Sequence, residues 1–325
     1  MSAIDSILFP EGHAIPTIAA CDHYAGSEKL ILKSIELQNK LDGVFDITCD
    51  LEDGAAIGGE AALRKTVCDI VSSSLNVHKR IGVRLHDFTS VHFRADLDEV
   101  LSAVGSLISH VTVPKTADFA EAKSIVDAIH RSCSEHNVDK LLPIHLLIET
   151  HLGVHDVWKI AGLPGIRGLD FGLMDFVSSH NGALHDGCMH SPDQFENPII
   201  VRAKTKLASA CFAHGVVPVH NVTVDFSDPE TTLLDATRAR KDFGFLRMWS
   251  IHPNQIAPIL AAFAPDPSEV AKASEIILAA HHAAWAPIRH NDRLHDRASF
   301  RYYWLILKRA KVSGIELPQE VSELG

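Results

Sequence analysis

The stretch CDLEDG sets Asp50, Glu52 and Asp53 within four positions, directly after the run VFDIT at 44–48. Carboxylates this close repel one another unless they face water or a positive group sits among them. Polar residues close other apolar runs in the same way. Arg84 and His86 end or follow RIGVRL, Lys115 follows HVTVP, Glu149 ends PIHLLIE, Asp175 lies in GLMDF, and His252 precedes Pro253 after RMWSI. Glu149 is the most telling of these. A carboxylate buried after such a run without a partner costs several kcal/mol and tends to take up a proton. Pairing it with Asp175 and a divalent cation removes that cost. Oxygen ligands without Cys or His suit Mg2+ or Mn2+, and Mg2+ takes one or two carboxylates while leaving places for substrate and water. The competing reading is a structural ion pair between Glu149 and Arg84 or Lys115. Arg84 has the chemistry to grip a substrate carboxylate bidentately or to stabilise a developing enolate oxygen. Lys115 offers either a Schiff-base amine or an electrostatic role, and nothing beside it in the sequence points to a lowered pKa.

Residues 176–197 form a long connection rich in Gly, His and Asp, the kind that serves as a lid or subunit contact. His180, His185, Cys188 and His190 lie in it, but their spacing matches no usual zinc pattern. Isolated histidines such as His281 and His282 read as helix surface. Tyr302, Tyr303 and Trp304 read as packing or a subunit contact. No phosphate loop, nucleophile elbow, HExxH or dinucleotide fingerprint occurs.

Positioning these groups takes alternating elements. Strands are expected over 15–21, 44–49, 80–85, 110–114, 143–149, 167–172, 216–220 and 247–252. Helices are expected over 27–40, 60–75, 95–106, 117–136, 152–161, 198–214, 229–242 and 254–263. Asp228-Pro229 and Asp266-Pro267 mark two helix starts, and Gly244 marks a stop. Strands separated by crossover helices are parallel. Repeated through the chain, such units predict an α/β fold, a (β/α)8 TIM barrel over 1–264, with the open doubly wound sheet as alternative. A C-terminal helical extension is expected over 265–325. In a barrel of this kind the chemistry sits at the C-terminal strand ends, where the polar residues fall.

The bulk numbers narrow the function. The chain has 325 residues, 46% hydrophobic and 22% charged, with a formal net charge of −11. That balance speaks against nucleic-acid and polybasic membrane binding but allows a local basic pocket for an acidic small molecule. No apolar run is long enough to span a bilayer and no signal peptide is recognisable. Cys21, Cys49, Cys68, Cys133, Cys188 and Cys211 form no C-x-x-C pair, which suits a reducing cytoplasm.

CDLEDGA, VRLHD, VPKT, LIETHLGV, GLMDF and SIHPNQI, in that order, resemble the citrate lyase β-subunit-like family of the HpcH/HpaI aldolase and malyl-CoA lyase superfamily. The resemblance implies a TIM barrel, Mg2+, a CoA thioester as candidate co-substrate, and a homo-oligomer, trimer or hexamer. It implies cleavage or formation of a C–C bond β to a carboxyl or thioester carbonyl. Carried over, Glu149 and Asp175 are the metal carboxylates, and Glu149 and Arg84 contact the substrate. Gly172, Leu173 and Met174 offer it backbone N–H groups. Asp50, Glu52 and Asp53 form a catalytic acidic corner with Arg84. The chain departs from the family pattern at Asp22-His23, Leu85-His86, His220-Asn221 and Arg247-Met248, and a second substrate-facing arginine is missing.

The leading expectation is a Mg2+-dependent C–C lyase acting on a 2-oxo acid or a 3-hydroxyacyl-CoA thioester of the citryl- or malyl-CoA type. The rivals are thioester hydrolysis on the same scaffold and a non-catalytic acyl-binding or assembly subunit.

Overall fold

The computed structural model describes residues 3–9 and 15–324. Eight parallel strands pair in chain order: β1 (Cys21–Ala25), β2 (Asp46–Asp50), β3 (Ile81–Arg84), β4 (Val111–Val113), β5 (Ile144–Ile148), β6 (Ile166–Phe171), β7 (Val217–His220) and β8 (Arg247–Ser250). β8 pairs back onto β1, Asp22 opposite Trp249. That closure makes the sheet a (β/α)8 barrel and excludes the open doubly wound alternative.

Among the helices, α1 (Ala3–Leu8) precedes the barrel. Its crossovers are α2 (Glu28–Lys40), α3 (Glu60–Ser72), α4 (Phe93–Val104), α5 (Phe119–Glu135), α6 (His151–Ala161), α7 (Leu173–Ser178) with α8 (Pro198–His214), and α9 (Pro229–Phe243), and α10 (Ile256–Phe263) follows β8. Their starts are written in side chains. Ser27, Asp118, Thr150, Asn197 and Asp228 each accept a first-turn N–H. Gly244 ends α9 in the left-handed region at φ 76°.

Strand periodicity divides the side chains into two sets. Ile47, Cys49, Ile81, Val83, Val111, Val113, Ile144, Leu146 and Ile148 pack with Val67, Leu97, Ile125 and Val157 of the helices in one apolar layer. The alternate positions are polar and equally buried: Asp22, Tyr24, Asp46, Thr48, Asp50, Arg84, His110, Thr112, His145, Asp170, Arg247 and Trp249. Arg247 of β8 reaches Asp46 of β2 at 2.5 Å, and Trp249 donates to Asp170 of β6 at 3.0 Å. Each contact skips a strand and so crosses the barrel interior. A Cβ on Gly82 would lie 2.3 Å from the His110 ring, so that glycine makes the room the ring fills.

Two strand expectations need correction. The first strand is at Cys21–Ala25, not 15–21. IPTIAA is apolar but contains Pro16, which has no N–H for a ladder, whereas the polar CDHYA is buried because the interior it faces is polar. Asp50 is the last residue of β2 rather than one beyond it.

The chain divides into two compact units, 20–263 and 1–19 with 264–325. Residues 1–19 were expected in the barrel. Ile4 and Leu8 instead bury with Ile276, Ile277, Phe300 and Leu307 in a separate core. That second unit contains α11 (Pro267–His282), the hairpin β9 (Ile288–His290) and β10 (Arg293–His295), α12 (Arg297–Val312) and α13 (Gln319–Ser322). Trp304 is buried in it and donates to Asp5 at 2.8 Å, while Tyr302 is exposed. His281 and His282 are exposed at the end of α11. Among the described residues no helix is long and apolar enough to cross a membrane.

Candidate active site

The turn after β2 folds around Asp50, which accepts the N–H groups of Glu52 (3.0 Å) and Gly54 (2.8 Å). Strand register sets Asp50 beside Arg84. The guanidinium forks onto it, Nε to Oδ1 at 2.7 Å and Nη2 to Oδ2 at 2.6 Å. Nη1 lies 3.2 Å from Glu52 Oε2. Burial works against the Arg84 charge, but Asp50 outweighs it and raises the pKa above the ordinary arginine value. From the end of β4, Lys115 sends Nζ to Glu52 and to Asp53, the latter at 3.0 Å. The three crowded carboxylates are thus met by two cations of the chain itself. Burial keeps the Glu52 carboxyl above its ordinary value despite Arg84 and Lys115. For Asp53 burial acts upward too, but Lys115 prevails and lowers it. Burial acts to lower the Lys115 pKa, but Glu52 and Asp53 raise it, so its role here is electrostatic rather than that of a free amine.

Glu149 is different. It stands between β5 and α6, where the next residue, Thr150, caps α6 by accepting from Gly153 N at 2.9 Å. Thr150 Oγ1 also lies 2.8 Å from the Ala117 carbonyl, which ties this turn to the Lys115 loop. The Glu149 carboxylate is 3% exposed. Its Oε1 accepts the backbone N–H of Lys115 at 2.5 Å, and Lys115 itself has a left-handed φ of 54°. Among the described residues no Lys, Arg or His side chain pairs with it. The ion-pair reading therefore fails: Arg84 and Lys115 spend their charges elsewhere, and Lys115 offers Glu149 only an N–H. Burial pushes the Glu149 carboxyl up to about 8, and nearby Asp175 adds to the rise. Asp175 is half-buried in the first turn of α7. A Cβ on Gly172 would fall 1.9 Å from Glu149 Oε2, so the strand end after β6 and the carboxylate share a space open only to glycine.

The Gly172 N–H donates to Ile148 O at 3.3 Å and is not available to a ligand, a correction to the expected trio of donors. Leu173 and Met174 open α7, whose first-turn N–H groups have no acceptor within the helix. Met174 is 41% exposed. Two carboxylates, one of them buried without a cation, fit a hard divalent ion. Among the described residues no group of three or more His, Cys, Asp or Glu forms a ready cage. An ion held by these two carboxylates would need further oxygen ligands such as water to complete its shell, a donor set that suits Mg2+.

Two departures from the expected pattern turn out to be one contact. Arg247 Nη2 lies 2.8 Å from Asp22 Oδ2, and Nη1 donates to Asp46 at 2.5 Å. Thr48 completes the cluster by donating to Asp22 at 2.8 Å. His23 bonds Ser250 Oγ at 2.7 Å, and burial lowers its pKa to about 4, so it is neutral. His86 meets the buried Asp96 at 2.5 Å, itself held by Arg64 at 2.7 Å. Tyr24 and Trp249 are interior residues that sequence reasoning missed. The signal was available in the period-two polar spacing of CDHYA and RMWS.

The 176–197 connection is docked. Ser191 donates to Asp235, Gln194 Nε2 lies 3.1 Å from the same carboxylate, and Asn221 donates to Gln194 at 3.0 Å. Lys204, wholly buried, bonds Gln194 at 3.0 Å and His220 Nε2 at 2.9 Å. His220 Nδ1 faces the Asn221 carbonyl and donates to it, which leaves Nε2 to accept from Lys204. The zinc candidates do not converge. His180 bonds Phe176 O, His185 lies 3.6 Å from Asp193, and Cys188 accepts from Asn197.

The profile of the family described as HpcH/HpaI aldolase/citrate lyase matches residues 39–253. An L-malyl-CoA/β-methylmalyl-CoA lyase of Cereibacter sphaeroides is 28% identical over 287 residues, 82% of this chain and 87% of the relative. The crystal structure of a citrate lyase from Burkholderia xenovorans superposes with a TM-score of 0.84 at 47% identity, covering 95% of this chain and 97% of that one. The CitE protein of Mycobacterium tuberculosis, in complex with magnesium, acetoacetate and coenzyme A, shares the fold at TM-score 0.67 and 20% identity, over 90% of this chain and 98% of its own.

Proposed function

The chain belongs to the HpcH/HpaI aldolase/citrate lyase family, and from that premise we propose that it is a Mg2+-dependent carbon–carbon lyase joining or separating an acyl-CoA and a 2-oxo acid. One observation carries the reading: Glu149 is a buried carboxylate that the chain supplies with an N–H and a second carboxylate nearby, but with no cation. The relative from Cereibacter is a malyl-CoA lyase, and the Mycobacterium structure holds magnesium and coenzyme A.

In the cleavage direction a 3-hydroxyacyl-CoA that carries a carboxylate on its hydroxyl carbon loses the hydroxyl proton, and that carbon becomes the oxo carbon of the 2-oxo acid. The bond between the two carbons breaks, and the thioester enolate left behind takes up a proton. Glu149 and Asp175 would hold the ion, which when bound supplies positive charge for the oxygens of the 2-oxo acid. Of the five N–H groups of Arg84, three go to Asp50 and Glu52. The two that remain serve a substrate carboxylate or a developing enolate oxygen. Leu173 and Met174 add backbone N–H groups. Asp50 holds Arg84, and Asp53 holds Lys115. Glu52, whose carboxyl burial raises, is the member of the corner that moves a proton. Small-molecule substrates, a homo-oligomer and a cytoplasmic location complete the reading, and all six cysteines are buried and unpaired.

Glu149→Gln keeps the shape and removes the charge. Calorimetric titration should show Mg2+ binding lost, and turnover of a malyl-CoA-type thioester should fall by roughly 10²–10³ or more. Normal Mg2+ affinity in that variant would remove the metal assignment. Product analysis tests the reaction: an oxo acid plus acyl-CoA means a lyase, whereas free CoA plus an intact hydroxy acid means a hydrolase.

A further inference from the structure

Lys204 of α8 is wholly buried, and its contacts come from four other segments of the barrel. Its Nζ bonds Gln194 Oε1 at 3.0 Å and His220 Nε2 at 2.9 Å. It also stands 4.2 Å from the ring centroid of Phe195 and 5.9 Å from those of Phe171 and Phe243, within cation–π reach. Gln194 and Phe195 belong to the 176–197 connection, Phe171 and His220 end β6 and β7, and Phe243 ends α9. Burial pulls the Lys204 pKa well below the ordinary lysine value, against the pull of Asp235. A neutral amine still has two N–H donors, so the bonds to Gln194 and His220 do not depend on its charge. Burying an amine this deeply costs free energy that a methionine of similar length would not. The group that bears that cost is a junction between segments.

Phe171 links the junction to the candidate site. Its ring packs on Phe176 with centroids 5.4 Å apart, and both side chains are fully buried. Between these two anchors run Gly172, Leu173, Met174 and Asp175. Gly172 walls the Glu149 carboxylate so closely that a Cβ would fall 1.9 Å from Oε2, and Asp175 is the second carboxylate of the site. The chain then passes through the connection to Gln194 and Phe195. Lys204 therefore touches the stretch 171–195 at both of its ends, with Gly172 and Asp175 between them.

We propose that Lys204 is a positioning residue for the metal site. By gripping Phe171 and the Gln194–Phe195 pair it fixes the stretch that carries Gly172 and Asp175, and so sets where the two carboxylates stand. It touches neither ion nor substrate. The proposal rests on the assignment of Glu149 and Asp175 as metal carboxylates above.

The test uses the full chain and Mg2+ alone, read by calorimetric titration under conditions where circular dichroism shows each variant folded. Lys204→Met keeps the length of the side chain and removes both donors. Its Mg2+ affinity should fall roughly tenfold, the scale of losing a group that orients metal ligands, and chymotrypsin should cut within 176–197 sooner than in wild type. Ile35→Ala in α2 is the control: it truncates a buried core residue that touches none of these groups, so it should lose stability to urea yet keep wild-type Mg2+ affinity. If Lys204→Met does not fold, Phe195→Leu leaves the amine and removes its ring, with the same expected loss. Wild-type Mg2+ affinity in whichever of these two folds, with binding lost in Glu149→Gln, overturns the role of Lys204 and leaves the metal assignment standing. An equal loss of affinity in Ile35→Ala also overturns it, because affinity would then follow general stability. Mg2+ binding that survives Glu149→Gln removes the site itself, and the proposal with it.

Discussion

Asp22 on β1 and Glu149 at the end of β5 are both buried carboxylates of one barrel, 0% and 3% exposed. Burial alone pushes either carboxyl upward. Beside Asp22 stands Arg247 at 2.8 Å, and despite burial its carboxyl is held far below the usual range. Beside Glu149 stand a backbone N–H and Asp175, and its carboxyl is pushed up to about 8. The partner decides the outcome, not the depth. The Asp22–Arg247–Asp46 cluster is balanced within the chain, so it is structure. Glu149 has no ion pair within the chain, and the proposed metal site rests on that difference.

The sharpest way to break this contrast is to unbalance the balanced side. Arg247→Met takes the arginine from the fully buried Asp22 and leaves Asp46 with Arg80 alone at 3.4 Å, and removing one partner of a buried pair costs roughly 3–5 kcal/mol. Urea unfolding should show that loss. Glu149→Gln, which replaces a carboxyl that has no ion pair with an amide of the same shape, should leave stability equal or higher. Comparable destabilisation in both variants would erase the distinction.

A second test uses pH. The carboxyl of Glu149 rises from 4.5 to about 8 on folding, so the ligand-free folded chain holds that proton more tightly than the unfolded one. The stability linked to it is complete below the unfolded value and is lost as pH climbs towards the folded one. Mg2+ requires the ionised form, so its affinity runs the opposite way. Between about pH 6 and 8 the apparent affinity should rise by roughly a hundredfold, with release of a proton measurable in buffers of different ionisation enthalpy. Asp22, lowered rather than raised, contributes stability above its unfolded value and loses it only in acid. A flat Mg2+ profile would place the titrating group elsewhere.

The same contrast explains what could be read in the sequence. The barrel was legible because its outward strand faces are runs of Ile and Val and α9 carries an Asp-Pro start and a Gly stop. β1 lies beyond the expected 15–21 because apolar content marks a strand only where the inward set is apolar, and here that set is polar. Asp50, Arg84, Glu149 and Asp175 were legible as polar residues ending apolar runs. Which carboxylate pairs with which cation was not, because that depends on register and on reach across the barrel. Arg247 and Asp22 lie 225 positions apart in the chain and 2.8 Å apart in space. Lys115 shows the limit from the other side: its charge goes to Glu52 and Asp53 while its N–H goes to Glu149, a division no residue type announces.

The smallest change probes how the unbalanced site is held. Gly172→Ala adds one methyl group whose carbon would fall 1.9 Å from Glu149 Oε2 and 2.5 Å from Glu149 Cβ. The side chain must turn, and the N–H from Lys115 that aims Oε1 is strained or lost with it. Charge, burial and the Asp22 cluster stay as they were. Mg2+ affinity should drop by roughly tenfold, the scale of disturbing a group that orients a ligand, while urea unfolding of the ligand-free chain changes much less than in Arg247→Met. If affinity holds, the carboxylate tolerates a new direction, and Glu149 binds as a mobile charge rather than as an aimed ligand. If it falls while Asp175→Asn causes a smaller loss, the aim of Glu149 matters more than the number of carboxylates around the ion.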